Sequence, residues 1–184
     1  MKFLKNPLKG NFIIENESKK DERGFFARMY CENEFKNQSI NTDWVQINNS
    51  SSKEIGTLRG LHFQYPPYSE AKLVRCTRGS IWNACVDLRH KSKTYGKWFG
   101  IELNEDNRSM IYIPSGFANG YVSLKKDTEI IYLVSNFYNP DSEGILMWND
   151  PFIAIKWPIK PKFISQKDQE GNNFIDFKGL EIVS

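Results

Sequence analysis

Histidine is nearly absent from this sequence: 184 residues contain two, His62 and His90. A barrel metal centre draws on two histidines one residue apart, a carboxylate and a further histidine. Here Phe63 and Gln64 follow His62, and His90 stands in Arg89-His90-Lys91 at the end of a strand, so no metal is expected. Cysteine is scarce too, with Cys31, Cys76 and Cys85 in no C-x-x-C spacing. An odd number without such spacing argues against disulfides and a thiolate zinc site, and fits a reducing cytoplasm. Long apolar runs are missing. No window approaches the roughly 18 apolar residues of a membrane span, and the N-terminal MKFLKNPLKGNF carries an early proline and no signal-peptide core. Charge of one sign is also missing: 25 basic residues face 22 acidic ones, a net charge of +3 with no basic block. That excludes a nucleic-acid footprint and leaves room for a small anionic ligand. There is no G-x-S-x-G elbow, no paired Cys and His nucleophile, and no glycine loop leading into a helix to cradle phosphate. The expectation is a cytoplasmic protein with no cofactor, no metal, no nucleic acid and no membrane partner.

What is present favours β structure. Aromatic residues make up 14% of the chain, and such residues pack well on a pleated surface. Amphipathic helical patterns are scarce, and one short helix is predicted around Cys31–Lys36. Short β-type runs divided by Gly, Pro, Asn and Asp dominate: Trp44–Asn48, Lys72–Thr77, Ser80–Leu88, Lys97–Leu103, Ser109–Ile113, Gly120–Leu124 and Thr128–Tyr138. Their close spacing predicts one antiparallel sandwich or barrel. KLVRCT-RG-SIWNACVDL reads as a hairpin, because Arg78-Gly79 supplies the positive φ of a tight turn. Along its second half Trp82, Ala84, Val86 and Leu88 form an apolar face that belongs to a core. Ile81, Asn83, Cys85 and Asp87 form a mixed face that suits a cavity wall. No linker divides the chain, so residues 1–184 are expected to form one domain, with a core over about 21–158 and an irregular tail over 159–184.

The stretch RGLHFQ, Arg59–Gln64, stands out between an Asn/Ser-rich turn at 48–52 and Pro66-Pro67. It crowds a guanidinium, an imidazole and an amide among apolar neighbours. His62 there suits general acid–base work, given a carboxylate to orient it and cations to stabilise developing charge. A lone histidine in an apolar stretch also has a plain reading, as a satisfied core residue. Likewise Lys72 reads plainly as a solvated strand-edge lysine, Arg23 as a partner of Asp21 or Glu22, and SGFANG (115–120) as a glycine loop.

Several blocks resemble dTDP-4-dehydrorhamnose 3,5-epimerase and its relatives, cofactor-independent sugar-nucleotide epimerases of the cupin superfamily. They are DERGFF (Asp21–Phe26), VQINNSSSKEIGTLRGLHFQ (Val45–Gln64), KLVRCTRGSIWNACVDLR (Lys72–Arg89), TYGKW (Thr94–Trp98), IPSGFANGY (Ile113–Tyr121) and YNPDSEGILMWNDP (Tyr138–Pro151). The tail matches more loosely around SQKD, Ser165–Asp168. The resemblance implies an all-β cupin jelly roll with a few short helices and a C-terminal tail. Its substrate would be a nucleoside-diphosphate-linked 4-keto sugar, inverted at C3, C5 or both by proton removal next to the ketone and return from the opposite face. Carried over, the base is His62, its orienting carboxylate Asp168, the opposite acid Tyr132 and the enolate-stabilising cation Lys72. Arg59 takes the sugar–phosphate end. Arg23, Phe26, Gln46 and Asn48 grip nucleotide and pyrophosphate, with Tyr138 nearby. A homodimer paired through N-terminal strands is implied, and Arg23 and Phe26 then reach a neighbour's site.

The pattern is broken at three positions. Asn119 stands where rhamnose-pathway members carry the histidine of GFAHG, which implies action at one carbon or on a differently configured sugar. Arg28 replaces an acidic residue near the nucleobase, which points to GDP or CDP beside dTDP. Asn83 replaces an aspartate on the mixed face. Two other readings stay open: a sugar-nucleotide 3,4-ketoisomerase, and a non-catalytic sugar-nucleotide-binding module on the same fold.

Overall fold

The computed structural model describes residues 1–40 and 43–182 and is an all-β jelly roll. Its first strands are β1 (Lys2–Lys5), β2 (Phe12–Glu15), β3 (Lys19–Asp21), β4 (Gly24–Phe26), β5 (Gln46–Ser52), β6 (Thr57–Gln64) and β7 (Lys72–Arg78). They are followed by β8 (Ser80–Asp87), β9 (Trp98–Asn104), β10 (Met110–Ile113), β11 (Phe117–Ser123), β12 (Thr128–Val134), β13 (Glu143–Ile145) and β14 (Phe163–Ile164). Two short helices, α1 (Glu32–Lys36) and α2 (Gln166–Gln169), complete the elements used below. No helix among the described residues is long and apolar enough to cross a membrane.

One antiparallel sheet runs β1-β2-β10-β7-β12-β5, and the facing one runs β13-β6-β11-β8-β9. β14 adds to β6 in parallel, beside the end of β6 that β13 leaves free. Alternation along each strand sorts its side chains between layers. Val74 and Cys76 of β7 point between the sheets, where they join Ile81, Cys85, Ile111 and Ile130. Leu73 points to the opposite side of the first sheet and packs with Phe35 of α1, Met110 and Tyr112. The second sheet has its own outer layer, in which Leu61, Phe63, Val86 and Leu88 lie under Ile153 and Trp157 and under Phe177 of the tail. Each such side chain contributes about 1.5–3 kcal/mol on full burial, so both faces of this sheet are anchored.

Those layers settle the two faces of β8. Val86 and Leu88 pack under the tail, while Ile81 and Cys85 face the other sheet. The apolar face is therefore a core face, and the mixed face looks into the space that holds the cavity.

The predicted hairpin is absent. β7 lies in one sheet and β8 in the other, so Arg78-Gly79 is a corner where the chain changes sheets. Gly79 has the positive φ, +75°, that the sequence suggests, and a Cβ there would sit 2.5 Å from the Thr128 hydroxyl. Positive φ serves a corner as well as a hairpin, and the partner strand is set by the layers.

Other boundaries differ too. Residues 48–52 continue β5 and pair with β12, because alternate positions Gln46, Asn48 and Ser50 are half-covered by the facing sheet. The SGFANG stretch lies mostly within β11 instead of in a loop. β6 and the N-terminal β1 and β2 escape the sequence pattern, and β12 stops at Val134, short of Tyr138.

Candidate active site

His62 reaches the cavity through an irregularity in β6. Asn119 of β11 pairs with His62, yet Tyr121 pairs with Arg59, so β6 holds one residue more than its partner over this stretch. Residues three apart on a regular strand face opposite sides. The extra residue of this β-bulge returns Arg59 and His62 to one side, where both line the same space with Tyr132 and Asn119. Glycines permit it. Gly60 has φ +120°, and a Cβ on it would lie 2.5 Å from Gly120 Cα and 2.7 Å from the Asn119 carbonyl oxygen.

The first sheet supplies the opposite wall in ranks. Gln46, Val134 and Lys72 stand side by side across β5, β12 and β7, and Asn48, Tyr132 and Val74 form the next rank. Cross-strand neighbours share a face, so the register alone brings these polar groups together. With His62, Gln64, Glu70, Tyr138 and Glu143 they enclose about 290 Å³. A smaller space of about 160 Å³, bordered by Ser50, Asn119 and Tyr121, shares His62, Lys72 and Tyr132 with it. Together they lie in the size range of small-molecule sites.

The tail completes the imidazole. β14 runs along Thr57 and Leu58, and α2 begins directly after it, capped by Ser165, whose hydroxyl accepts from the Asp168 amide at 3.1 Å. This puts the Asp168 carboxylate 2.6 Å from His62 Nε2, across 106 residues of sequence. The His62 side chain is 34% exposed and the Asp168 side chain 4%. Burial alone pushes the Asp168 carboxyl up, but hydrogen bonds from His62, Ser165 and the Gly60 amide hold it below the ordinary carboxylate value. With Nε2 engaged, Nδ1 of His62 makes no hydrogen bond among the described residues. A carboxylate on one ring nitrogen fixes the tautomer and leaves the other free to accept a proton.

Lys72 and Tyr132 line the same cavity as this imidazole. The Lys72 ammonium lies 2.7 Å from Glu70, and the two side chains are 12% and 6% exposed. Tyr132 has its phenol pushed up by burial and by Tyr121, with Glu70 adding and Arg59 opposing. A raised phenol keeps its proton at neutral pH. At the mouth, the Tyr138 hydroxyl donates to Glu143 at 2.9 Å, and Glu143 also pairs with Lys167. The Arg59 guanidinium donates to the Ser51 carbonyl at 3.0 Å.

A family model described as dTDP-4-dehydrorhamnose 3,5-epimerase matches residues 5–176. The chain belongs to the dTDP-4-dehydrorhamnose 3,5-epimerase family. The enzyme of that name from Shigella flexneri is 38% identical over 177 residues, covering 96% of this chain and 97% of its own. The crystal structure of the Elizabethkingia anophelis enzyme superposes with a TM-score of 0.92 at 42% identity, covering 96% of this chain and 97% of that one. The Legionella pneumophila enzyme, solved with dTDP-4-keto-L-rhamnose, gives 0.91 at 30% identity and covers 100% and 99% of the two chains.

Within this epimerase family, the chain brings most of the expected residues to one place. His62, Lys72, Tyr132, Gln46, Asn48 and Tyr138 line one cavity; Arg59 and Asn119 border the adjoining one, and Asp168 stands behind His62. Asn119 is fixed by its amide nitrogen, which donates to Asn83 Oδ1 at 2.9 Å and to the Ala84 carbonyl at 3.0 Å. Both of its N–H groups are thereby used, and its oxygen alone remains as an acceptor.

Three expected residues do not reach this cavity within the chain. Arg23 pairs with Asp21 at 2.7 Å and Phe26 is 70% exposed, both on the β3–β4 ribbon that joins neither large sheet. Arg28 pairs with Glu34 at 3.1 Å, and Glu34 also holds the N-terminal ammonium at 2.7 Å. Its positive charge is therefore answered locally. His90, exposed as expected, contacts the Lys178 carbonyl through Nδ1. Sequence reasoning gave no role to Gln64, Glu70, Glu143 or Lys167. Glu70 and Gln64 carried a readable signal, since they lie two residues from Lys72 and from His62, the spacing of one strand face.

Proposed function

We propose that this chain is an epimerase of a dTDP-linked 4-keto sugar, inverting C3, C5 or both carbons beside the ketone. One observation carries the reading: an imidazole held by a buried carboxylate shares a cavity with a lysine and a tyrosine from the facing sheet. The C4 carbonyl acidifies the neighbouring C–H bonds. His62 takes the proton at its free nitrogen, and the C–H electron pair moves into the enolate. The Lys72 ammonium stabilises the charge on the enolate oxygen, usually a large contribution in a water-poor site. The phenol of Tyr132 then delivers a proton to the opposite face of the carbon as the enolate collapses back to the ketone; the phenolate recovers its proton from solvent, and the His62 imidazolium releases to solvent the proton it took. Arg59 takes the pyrophosphate end and Gln46, Asn48 and Tyr138 the nucleotide side.

The protein works as a cytoplasmic homodimer in this reading. The β3–β4 ribbon, free of both sheets, carries Arg23 and Phe26 into the partner's cavity mouth. Three unpaired cysteines fit a reducing compartment; burial pushes the Cys85 thiol up to about 12, which keeps it inert. The pairing of Arg28 with Glu34 favours dTDP over GDP or CDP, since the reversed charge is compensated inside the chain.

The deciding experiment incubates the protein with dTDP-4-keto-6-deoxyglucose in deuterated water under NMR detection. Deuterium entering at C3 or C5 with inversion is expected. Carbonyl migration would make it a ketoisomerase, and tight binding without exchange a non-catalytic module. Binding of dTDP, GDP and CDP measured side by side tests the nucleotide.

A further inference from the structure

Lys72 lies at the junction of the two adjoining spaces, and a lysine on a four-carbon stem does not define its own position. Among the described residues its polar partner is Glu70, at 2.7 Å. Glu70 is in turn fixed. Its second carboxylate oxygen accepts from Gln64 Nε2 at 3.0 Å, and the residue is buried. The same Gln64 amide nitrogen donates to the carbonyls of Tyr68 at 2.9 Å and Phe137 at 3.2 Å, while its oxygen accepts from the Asn139 amide at 2.7 Å. Two hydrogens serve three acceptors, so the amide has no freedom to rotate. Gln64 stands two residues beyond His62 on β6 and shares its face.

A chain of contacts thus runs from the strand that carries the histidine, through Gln64 and Glu70, to the lysine of the facing sheet. We propose that Glu70 is a positioning residue: with Gln64 it sets where the Lys72 ammonium stands relative to His62. This rests on the epimerase reading for its consequence but not for its geometry. A carboxylate placed here for stability alone would be an odd choice, because a buried ion pair gains little over an apolar pair of the same volume. An ammonium that must meet a developing oxyanion needs a fixed origin, and misplacement by about 1 Å costs on the order of 10²-fold in rate.

The test is a double-mutant cycle on the full-length protein with Glu70→Gln and Lys72→Met, read by solvent-deuterium incorporation into the 4-keto sugar nucleotide. Glu70→Gln keeps the shape and removes the charge. It should lower kcat by roughly 10- to 100-fold while KM moves less than about threefold. In a Lys72→Met background the same change should cost under about twofold, since the group it positions is gone. Equal losses in both backgrounds, or an unchanged kcat in the single variant, overturn the proposal. Should Glu70→Gln fail to fold, Glu70→Asp enters the cycle in its place: it keeps the charge, withdraws it by one methylene, and is expected to lose kcat likewise. Mobility of the Lys72 ammonium, followed by nitrogen-15 NMR without substrate, separates this proposal from the functional one. Restricted motion in the parent protein that is released in the Glu70 variant supports positioning even if no epimerisation occurs. Equal mobility in both refutes it even if epimerisation is rapid.

Discussion

Arg59 and His62 face the same side of β6, although three residues of regular strand would turn them to opposite sides. The extra residue in the bulge, and the bare backbones of Gly60 and Gly120 that let β6 and β11 meet there, put a guanidinium and an imidazole in one cavity. Gly60→Ala tests this directly. Its Cβ would overlap Gly120 Cα at 2.5 Å, in a backbone conformation that alanine disfavours. The variant should lose at least about 2 kcal/mol of stability by denaturant unfolding. Any folded fraction should be impaired in both substrate binding and turnover, because Arg59 and His62 shift together.

Asp168 should matter twice. Asp168→Asn removes the charge that orients and supports the His62 imidazole, and kcat should fall by about 10²–10⁴-fold, the range for a positioned acid–base group. Its carboxyl is held below the ordinary value, so its contribution to stability is present above the unfolded value of about 3.9. It is lost as pH falls through the lower folded value. The stability advantage of the parent protein over Asp168→Asn should therefore shrink below about pH 4. A gap that widens below that pH would contradict the assignment.

Asn119 offers an oxygen and no transferable proton. If it restricts the chemistry to one carbon, the parent protein should place solvent deuterium at C3 or C5 alone, and Asn119→His should extend labelling to the other. An unchanged labelling pattern in the variant counts against that role.

Arg23 and Phe26 stand off the body of the chain on the β3–β4 ribbon, with the Arg23 side chain 84% exposed. If the ribbon serves a partner's site, Arg23→Ala and His62→Asn proteins, each weak alone, should regain activity when mixed and allowed to exchange subunits. One composite site would then be intact. Absence of recovery, with mixed dimers demonstrated by native mass spectrometry, would refute sharing.

The all-β jelly roll was readable from short alternating runs and turn residues, because period-two patterns survive wherever one face is buried. Pairing was less readable. Gly79 announced a turn, but which sheet follows depends on layers that no local pattern encodes. β6 was hidden for a reason tied to its use: the bulge breaks alternation, and Arg59, His62 and Gln64 put polar groups where a strand pattern wants apolar ones. The residues around His62 came from resemblance, and the cross-strand ranks account physically for why Gln46, Asn48, Lys72 and Tyr132 meet. Glu70 and Gln64 escaped because their roles lie in contacts with other side chains across a gap.

The union of His62 with a carboxylate from the far end of the chain has an outcome during synthesis. A ribosome that has delivered His62 must add a further 106 residues before its charged companion exists. Every shorter chain carries an imidazole without its carboxylate.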